Sequence, residues 1–237
     1  MVLVFGAGFV FLGVGSGGLD LGSLIRDTFG TKGGGGGTSI SAAQNEVQKH
    51  PREPKAYKVL ADALERKGRT EQEISALEQY TTLAPKDASQ LERLAKLRFT
   101  QADNAATEAS AAYAEQQVAL AGSKFGPSQT SKLGQALGQD PITQALSTKV
   151  SARVQQATAT YQTASAKAIA VFKQLVKLRP DQASFFELAQ AAEHFNNMKV
   201  ALSAYRSLLK VERDPATKAQ VRAKIASLRA ALKKGGG

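Results

Sequence analysis

The sequence predicts an all-α chain: helices packed in pairs, with one pair drawn out into a long two-helix arm. Three observations carry that expectation. Aromatic residues make up only 6% of the 237 residues and tryptophan is absent, which disfavours β-sheet, whose strands draw on aromatic and β-branched side chains. From Ser41 onward the apolar residues recur at intervals of three and four, the period of a single helix face. Two stretches of roughly thirty residues also run through the same order of helix, tight turn, helix and proline, the outline of a repeat that buries its apolar face on its neighbour.

In chain order, residues 1–18 are expected to form an N-terminal hydrophobic, transmembrane segment. VLVFGAGFVFLGVG follows Met1, and its glycines suit a membrane helix better than a soluble one. Fifteen helical residues span roughly 22 Å against a hydrocarbon core of ~30 Å. The run also lacks the Lys or Arg that flank signal peptides and anchors. The simplest reading is a start inside a longer anchor; a cleaved signal fits less well, because no small-x-small site with alanine follows. Residues 19–40 read as a Gly-rich linker, with Gly33 to Gly37 unbroken, a composition that gives a flexible tether.

In Ala56 to Lys67 the residues Tyr57, Leu60, Ala61 and Leu64 fall on one helix face. Gly68 stops that helix. Thr70 is expected to cap the next, with Glu73 as its capping-box partner; Ile74, Leu77 and Leu83 then lead to Pro85. Counted back from Pro85, the unit starts at Pro54 and resembles a tetratricopeptide repeat. Tyr57 stands at the family's aromatic position, Leu60 and Ala61 at its Leu-Gly pair, Gly68 at the turn and Leu77 at the large residue of the second helix. Glu73 and Tyr80 depart from the pattern, since the family places small residues there. The last unit matches as well. Phe185, Leu188 and Ala189 make the first-helix signature, Asn196 replaces the turn glycine, and Ala201, Leu202, Tyr205 and Leu208 make the second helix before Asp214-Pro215. Residues 216–237 are expected to supply a basic capping helix and tail, because terminal repeats need a solvated outer face.

The middle unit is split. Leu91, Leu94 and Ala95 begin it in register, but its second helix returns only at Ala168, Ile169, Phe172 and Leu178. Residues 41–100 thus hold the first repeat and the first helix of the second. Residues 101–163 are an insertion, and 164–215 complete the second repeat and hold the third. On the outgoing limb Phe99, Ala102, Ala106, Ala109, Tyr113, Gln116 and Leu120 follow a 3-4 spacing. On the return Val150, Val154, Ala157, Tyr161, Ala164 and Ala168 do the same, so both limbs present a coiled-coil seam. An antiparallel hairpin satisfies both, projecting roughly 33 Å; two separate short bundles are the alternative. Gly122 to Gly138 is expected to be the tip, with Asp140 capping and Pro141 at the first helical position of the return.

The formal net charge is +11. Residues 148–180 carry six basic and no acidic side chains, and residues 181–237 carry ten and five, so the excess lies in the C-terminal part. Such a field can attract anionic lipid, nucleic acid or acidic wall polymer, although a solvated basic helix face is the simpler account of it. Cysteine is absent, which excludes disulfides, thiolate zinc sites and cysteine nucleophiles. His50 and His194 have no metal-ligand spacing, and no G-x-S-x-G elbow is present. The glycine stretches are not followed by G-K-[ST], so they are not phosphate loops. No catalytic residue, metal or cofactor is expected, and no enzyme.

The whole chain resembles membrane-anchored tetratricopeptide repeat proteins of the bacterial, actinobacterial-type cell envelope. The resemblance implies an all-α repeat stack with a long antiparallel coiled-coil hairpin inserted in its middle repeat, preceded by the N-terminal membrane segment. It further implies a non-catalytic, membrane-tethered protein–protein interaction scaffold, with the repeats outside the cytoplasm. First helices line a concave groove in such stacks, and their outward positions here are the candidate partner-binding residues. These are Lys55, Lys58, Asp62 and Arg66, then Arg93 and Lys96, then Phe186, Gln190 and His194. Some members grip a peptide carboxylate with paired Lys and Asn; Lys58 and Arg93 suit that clamp, but Asp62 and Ala183 stand where Asn and Lys are needed. The expected partners are proteins, through the groove or the arm, and a membrane at the N-terminus. Self-association is open, and no specific nucleic acid is expected. A chaperone-like role for exported polypeptides and a basic module for anionic envelope polymers or lipid are the alternatives. The arm is either a brace on the stack or a probe that touches a partner.

Overall fold

The computed structural model describes residues 38–123, 132 and 141–234. The apolar N-terminal run, the glycine tether, Leu120's side chain, Asp140 and most of the expected arm tip lie outside that description. Eight helices follow one another among the described residues: α1 Ile40–Lys49, α2 Pro54–Glu65, α3 Thr70–Leu83, α4 Ala88–Ser123, α5 Pro141–Leu178, α6 Gln182–His194, α7 Met198–Val211 and α8 Pro215–Lys234. Each packs chiefly on its neighbour in sequence, the arrangement of a solenoid whose units share one continuous core. No helix among the described residues is long and apolar enough to cross a membrane.

The helix pairs α2–α3 and α6–α7 turn by the same device. Gly68 has φ +64° and Asn196 φ +56°, the left-handed conformation that Gly adopts freely and Asn tolerates. In each turn this residue donates its N–H three residues back, Gly68 to Glu65 and Asn196 to Glu193 at 2.9 Å. The next N–H reaches five back, Arg69 to Leu64 at 2.9 Å and Asn197 to Ala192 at 2.6 Å. These bonds satisfy the carbonyls that a helix end leaves open. The expected cap at the start of α3 is not formed. The helix begins at Thr70 itself, Arg69 occupies the N-cap position without a side-chain bond, and Glu73 is drawn elsewhere.

Glu73 is buried to 4% exposure, which explains its departure from the small residue of the repeat pattern. Its carboxylate accepts from Arg93 Nε at 2.9 Å, and the same guanidinium reaches Asp62 at 2.6 Å and Glu65 at 3.1 Å. One cation on α4 thereby ties α2 and α3 to it. A second tie runs from buried Arg98 to Glu78 of α3 and to Gln101 at 2.5 Å. Tyr80, the other departure, is buried against the turn, its hydroxyl donating to Asp87 at 2.6 Å. Asp87 in turn accepts from the Ser89 and Gln90 N–H groups and caps α4.

The two longest helices stand where the spacing places the insertion. Helix α4 runs 36 residues and α5 runs 38, paired with each other. Leu91, Leu94 and Ala95 at the base of α4 and Ala168, Ile169, Phe172 and Leu175 at the base of α5 are buried in the repeat core. Beyond it the limbs run antiparallel. Glu115 pairs with Arg153 at 2.6 Å, Gln116 Nε2 donates to Ser151 at 3.5 Å, and Thr158 Oγ1 meets the Tyr113 hydroxyl at 3.4 Å. The α5 seam holds at Val150, Val154, Ala164 and Ala168. The α4 seam holds at Ala102 and Ala109 and shifts by one residue at two other positions. Ala102, Ala105, Ala109 and Ala112 are the buried residues, whereas Ala106 is half-buried and Tyr113 is 48% exposed on the flank. Helix α4 also continues through Gly122 to Ser123, past the expected break. At the far end, Val221, Ile225 and Leu228 of α8 close the core against α7.

Candidate binding groove

Two adjoining cavities open between the first helices and the C-terminal helix. The inner one, about 700 Å³, lies between α4 and α6 and is floored by Phe99 and Phe172, with Lys96, Glu187, Gln190 and His194 on its walls. The outer one, about 710 Å³, lies between α6, α7 and α8, with Phe186, Leu208 and Val221 on its apolar side and Asp181 and Glu212 on its polar side. Tyr205 and Lys224 border both. Glu193 holds these two residues together, accepting from the Tyr205 hydroxyl at 3.1 Å and from Lys224 at 2.5 Å. Burial, with that bond to Glu193, pushes the Tyr205 hydroxyl up to about 12.

His194 fixes the inner wall to the arm. Its Nε2 lies 2.7 Å from Asp103 of α4, and its ring packs 5.0 Å from Phe99. Phe195 packs against Phe99 at a tilt, ring centres 5.0 Å apart, and meets Tyr161 of α5 edge-on at 6.4 Å. The end of α6 thus grips both limbs at the arm's base. Lys96 is held by Glu92 at 2.7 Å, and Glu92 also accepts from Arg179 at 3.2 Å. These cations hold the Glu92 carboxyl below the usual range, Lys96 contributing most. Glu187 behaves oppositely. Burial first, and then the like charge of Glu92, raises its pKa, and its Oε2 has no hydrogen-bond partner.

Of the predicted residues, Lys96, Phe186, Gln190 and His194 come together along these cavities. Phe186 is 43% exposed and places a large apolar side chain at the edge of an open cavity. Arg93 lines a separate pocket of about 530 Å³ beside Lys96, but its guanidinium is consumed by the three carboxylates described above, Asp62 among them. Both residues therefore serve as a structural tie, and the carboxylate clamp has no available arginine. Arg66 donates to the Thr38 carbonyl at 3.0 Å, steadying the entry to α1. Lys55 and Lys58 are exposed on α2, Lys58 helping to lower the pKa of Asp87. Glu187, Glu193, Tyr205 and Lys224 are additions that the sequence reading missed. Glu187 sits next to Phe186 and three residues before Gln190, so a wider helix stripe would have included it. The other three come from the end of α6, a second helix and the capping helix, positions that the repeat pattern does not assign to the groove. A further cavity of about 610 Å³ lies beside the arm, where Arg98, Gln101, Gln156 and Lys167 line it. Among the described residues no group of histidines and carboxylates has metal-binding geometry.

The tetratricopeptide repeat family model matches residues 37–88 and 158–217, the parts on either side of the outgoing limb and tip. No curated protein matches the chain. Among solved structures, a thermophilic TPR protein of Thermus thermophilus is 14% identical, with 89% of this chain and 94% of that one covered, at a TM-score of 0.25. The TPR domain of P58(IPK) is 15% identical, with 83% of this chain and 63% of that one covered, also at 0.25.

Proposed function

We propose, taking the tetratricopeptide repeat match as the premise, that this protein is a non-catalytic scaffold that binds another polypeptide in the groove between α4, α6 and α8. Tetratricopeptide repeat proteins generally mediate protein–protein interactions, and their fold is typically a non-catalytic interaction scaffold. The observation that carries the reading is the pair of adjoining open cavities edged by exposed Phe186, a large apolar side chain presented beside polar groups that can orient a ligand. The arm supplies a second surface well away from the groove. The N-terminal apolar run supports tethering to a membrane, and the reading puts the repeats outside the cytoplasm in a bacterial envelope.

A photo-reactive residue in place of Phe186, and another in place of Tyr113 on the arm, test the scaffold reading in cells. Capture of the same polypeptide from the Phe186 site, and its loss when Gln190 and His194 are replaced, is the expected result. Capture from an outer-face position such as Lys210 but none from the groove would overturn it. Only self-capture from Tyr113 would make the arm a brace or a contact between copies. For the tether, the protein should stay with membranes through alkaline carbonate and yield to protease added to intact spheroplasts. A second reading, binding of anionic polymer or lipid, draws on the basic residues of α8 such as Arg222, Arg229, Lys233 and Lys234. It predicts binding that vanishes in high salt.

A further inference from the structure

The C-terminal unit sorts its charges by face. Residues 181–237 carry twice as many bases as acids, ten against five. Yet four of the five acids, Asp181, Glu187, Glu193 and Glu212, line the two cavities, and among the described residues Lys224 is the one Lys or Arg of that unit that does. Lys224 is neutralised by Glu193 at 2.5 Å, and Lys96 on the opposite wall by Glu92 at 2.7 Å. A protein of net positive charge therefore presents a groove in which carboxylates outnumber unpaired cations.

Three of those carboxylates already have donors. Asp181 accepts from the Ser184 N–H, Glu193 from Tyr205, and Glu212 from Gln182 and two backbone N–H groups. Glu187 is the exception, with Oε2 unpartnered. That oxygen is closed to solvent, but the Glu187 carboxyl lines the inner cavity, where a ligand's cation can make a charge-assisted bond to it. Phe186, the preceding residue of the same helix, supplies the apolar edge, with Leu208 and Val221 behind it.

We propose that the groove takes a polypeptide segment that is both apolar and basic, with Glu187 receiving its ammonium or guanidinium group and the Phe186 side seating an apolar side chain. The proposal rests on the scaffold reading above and names its partner's chemistry. It reverses the polarity of a carboxylate clamp: like charges facing an acidic segment disfavour it, and anionic ligands are left to the outer basic faces.

Two short labelled peptides make the test, one composed of Phe, Leu and Lys and one with Glu for every Lys, titrated into the protein while its backbone amide resonances are followed. The Lys peptide is expected to shift the resonances of Phe186, Glu187 and Gln190, and the Glu peptide to leave them in place. Glu187→Gln should weaken the Lys peptide by about tenfold, and Glu187→Lys should abolish its binding, with helical content unchanged in both. Binding of the Glu peptide at the same resonances with equal or greater affinity would overturn the proposal while leaving the scaffold reading intact. Lys-peptide binding insensitive to both Glu187 variants would overturn it too. If neither peptide moves the groove resonances but cross-linking from the Phe186 site still captures a polypeptide, the proposed partner chemistry is wrong and the groove is right. Failure of both experiments sinks the two together.

Discussion

The two left-handed residues set the sharpest demands at the residue scale. A Cβ built on Gly68 meets nothing within 4 Å, so Gly68→Ala is penalised by its φ alone. It should lower unfolding free energy by about 1 kcal/mol in urea titration. Asn196→Gly should leave stability unchanged or raise it slightly, and Asn196→Val should cost more than Gly68→Ala. Arg93 is a different kind of determinant. Arg93→Met would strand the buried Glu73 carboxylate and should cost about 3 kcal/mol, whereas adding Glu73→Ala to it should restore most of the loss. The Tyr80–Asp87 bond makes a pH prediction. The Tyr80 hydroxyl, then the Gln90 and Ser89 N–H groups, hold the Asp87 pKa below its ordinary value against the opposing effect of burial. A carboxylate with a depressed folded pKa stabilises the protein above the ordinary aspartate pKa of about 4, and that contribution is lost as pH falls through the lower folded value. Wild type should therefore lose more stability than Tyr80→Phe between about pH 5 and pH 2. On the alkaline side, the Tyr80 and Tyr205 hydroxyls are both pushed up to about 12. Their tyrosinate absorbance should rise well above the ordinary tyrosine pKa of about 10.

At the scale of elements, the arm is built on alanine. Ala102, Ala105, Ala109 and Ala112 bring α4 close to α5, and a side chain larger by several carbons has nowhere to go. Ala109→Leu should cost about 1–3 kcal/mol and separate Tyr113 from Thr158, visible as a change in tyrosine fluorescence. Val118→Ser, at 75% exposure, should do neither. The helix pairs, the split repeat and the antiparallel limbs are legible because each leaves a period in the sequence. The outgoing seam departs from its apparent spacing at two positions: Ala105 is buried in place of Ala106, an identical side chain that gives no contrast between inside and outside, and Ala112 in place of Tyr113, whose ring is too large for so close an approach. The return limb, with Val150 and Val154 among polar neighbours, is unambiguous. The Arg93 tie is not legible at all. Its partners lie on two other helices, and no local rule links a charge on α4 to Asp62, Glu65 and Glu73. The same gap hides Glu193, Tyr205 and Lys224 from the candidate site, whereas Lys96, Phe186, Gln190 and His194 follow from helix register alone.

Across the whole molecule, the arm and the repeats are joined by α4 and α5, which belong to both. Replacing residues 110–156 by a short linker should leave the repeats helical and their thermal transition cooperative, because the core cluster ends at Ala105 on α4 and begins again at Ala164 on α5. His194→Ala should loosen the base of the arm, since it removes the link to Asp103; faster hydrogen exchange confined to that base would show it. The split also bears on how the chain finds its fold. Glu92 and Arg179 meet although 87 positions separate them, a loop whose direct closure would be entropically slow. Zipping of the limbs from their distal ends toward the base would remove that obstacle, each step a short-range closure that brings the next pair within reach. On that pathway the arm is the nucleus from which the base of the pair condenses. Substitutions in its seam should slow refolding, while those in α7 and α8 should mainly hasten unfolding.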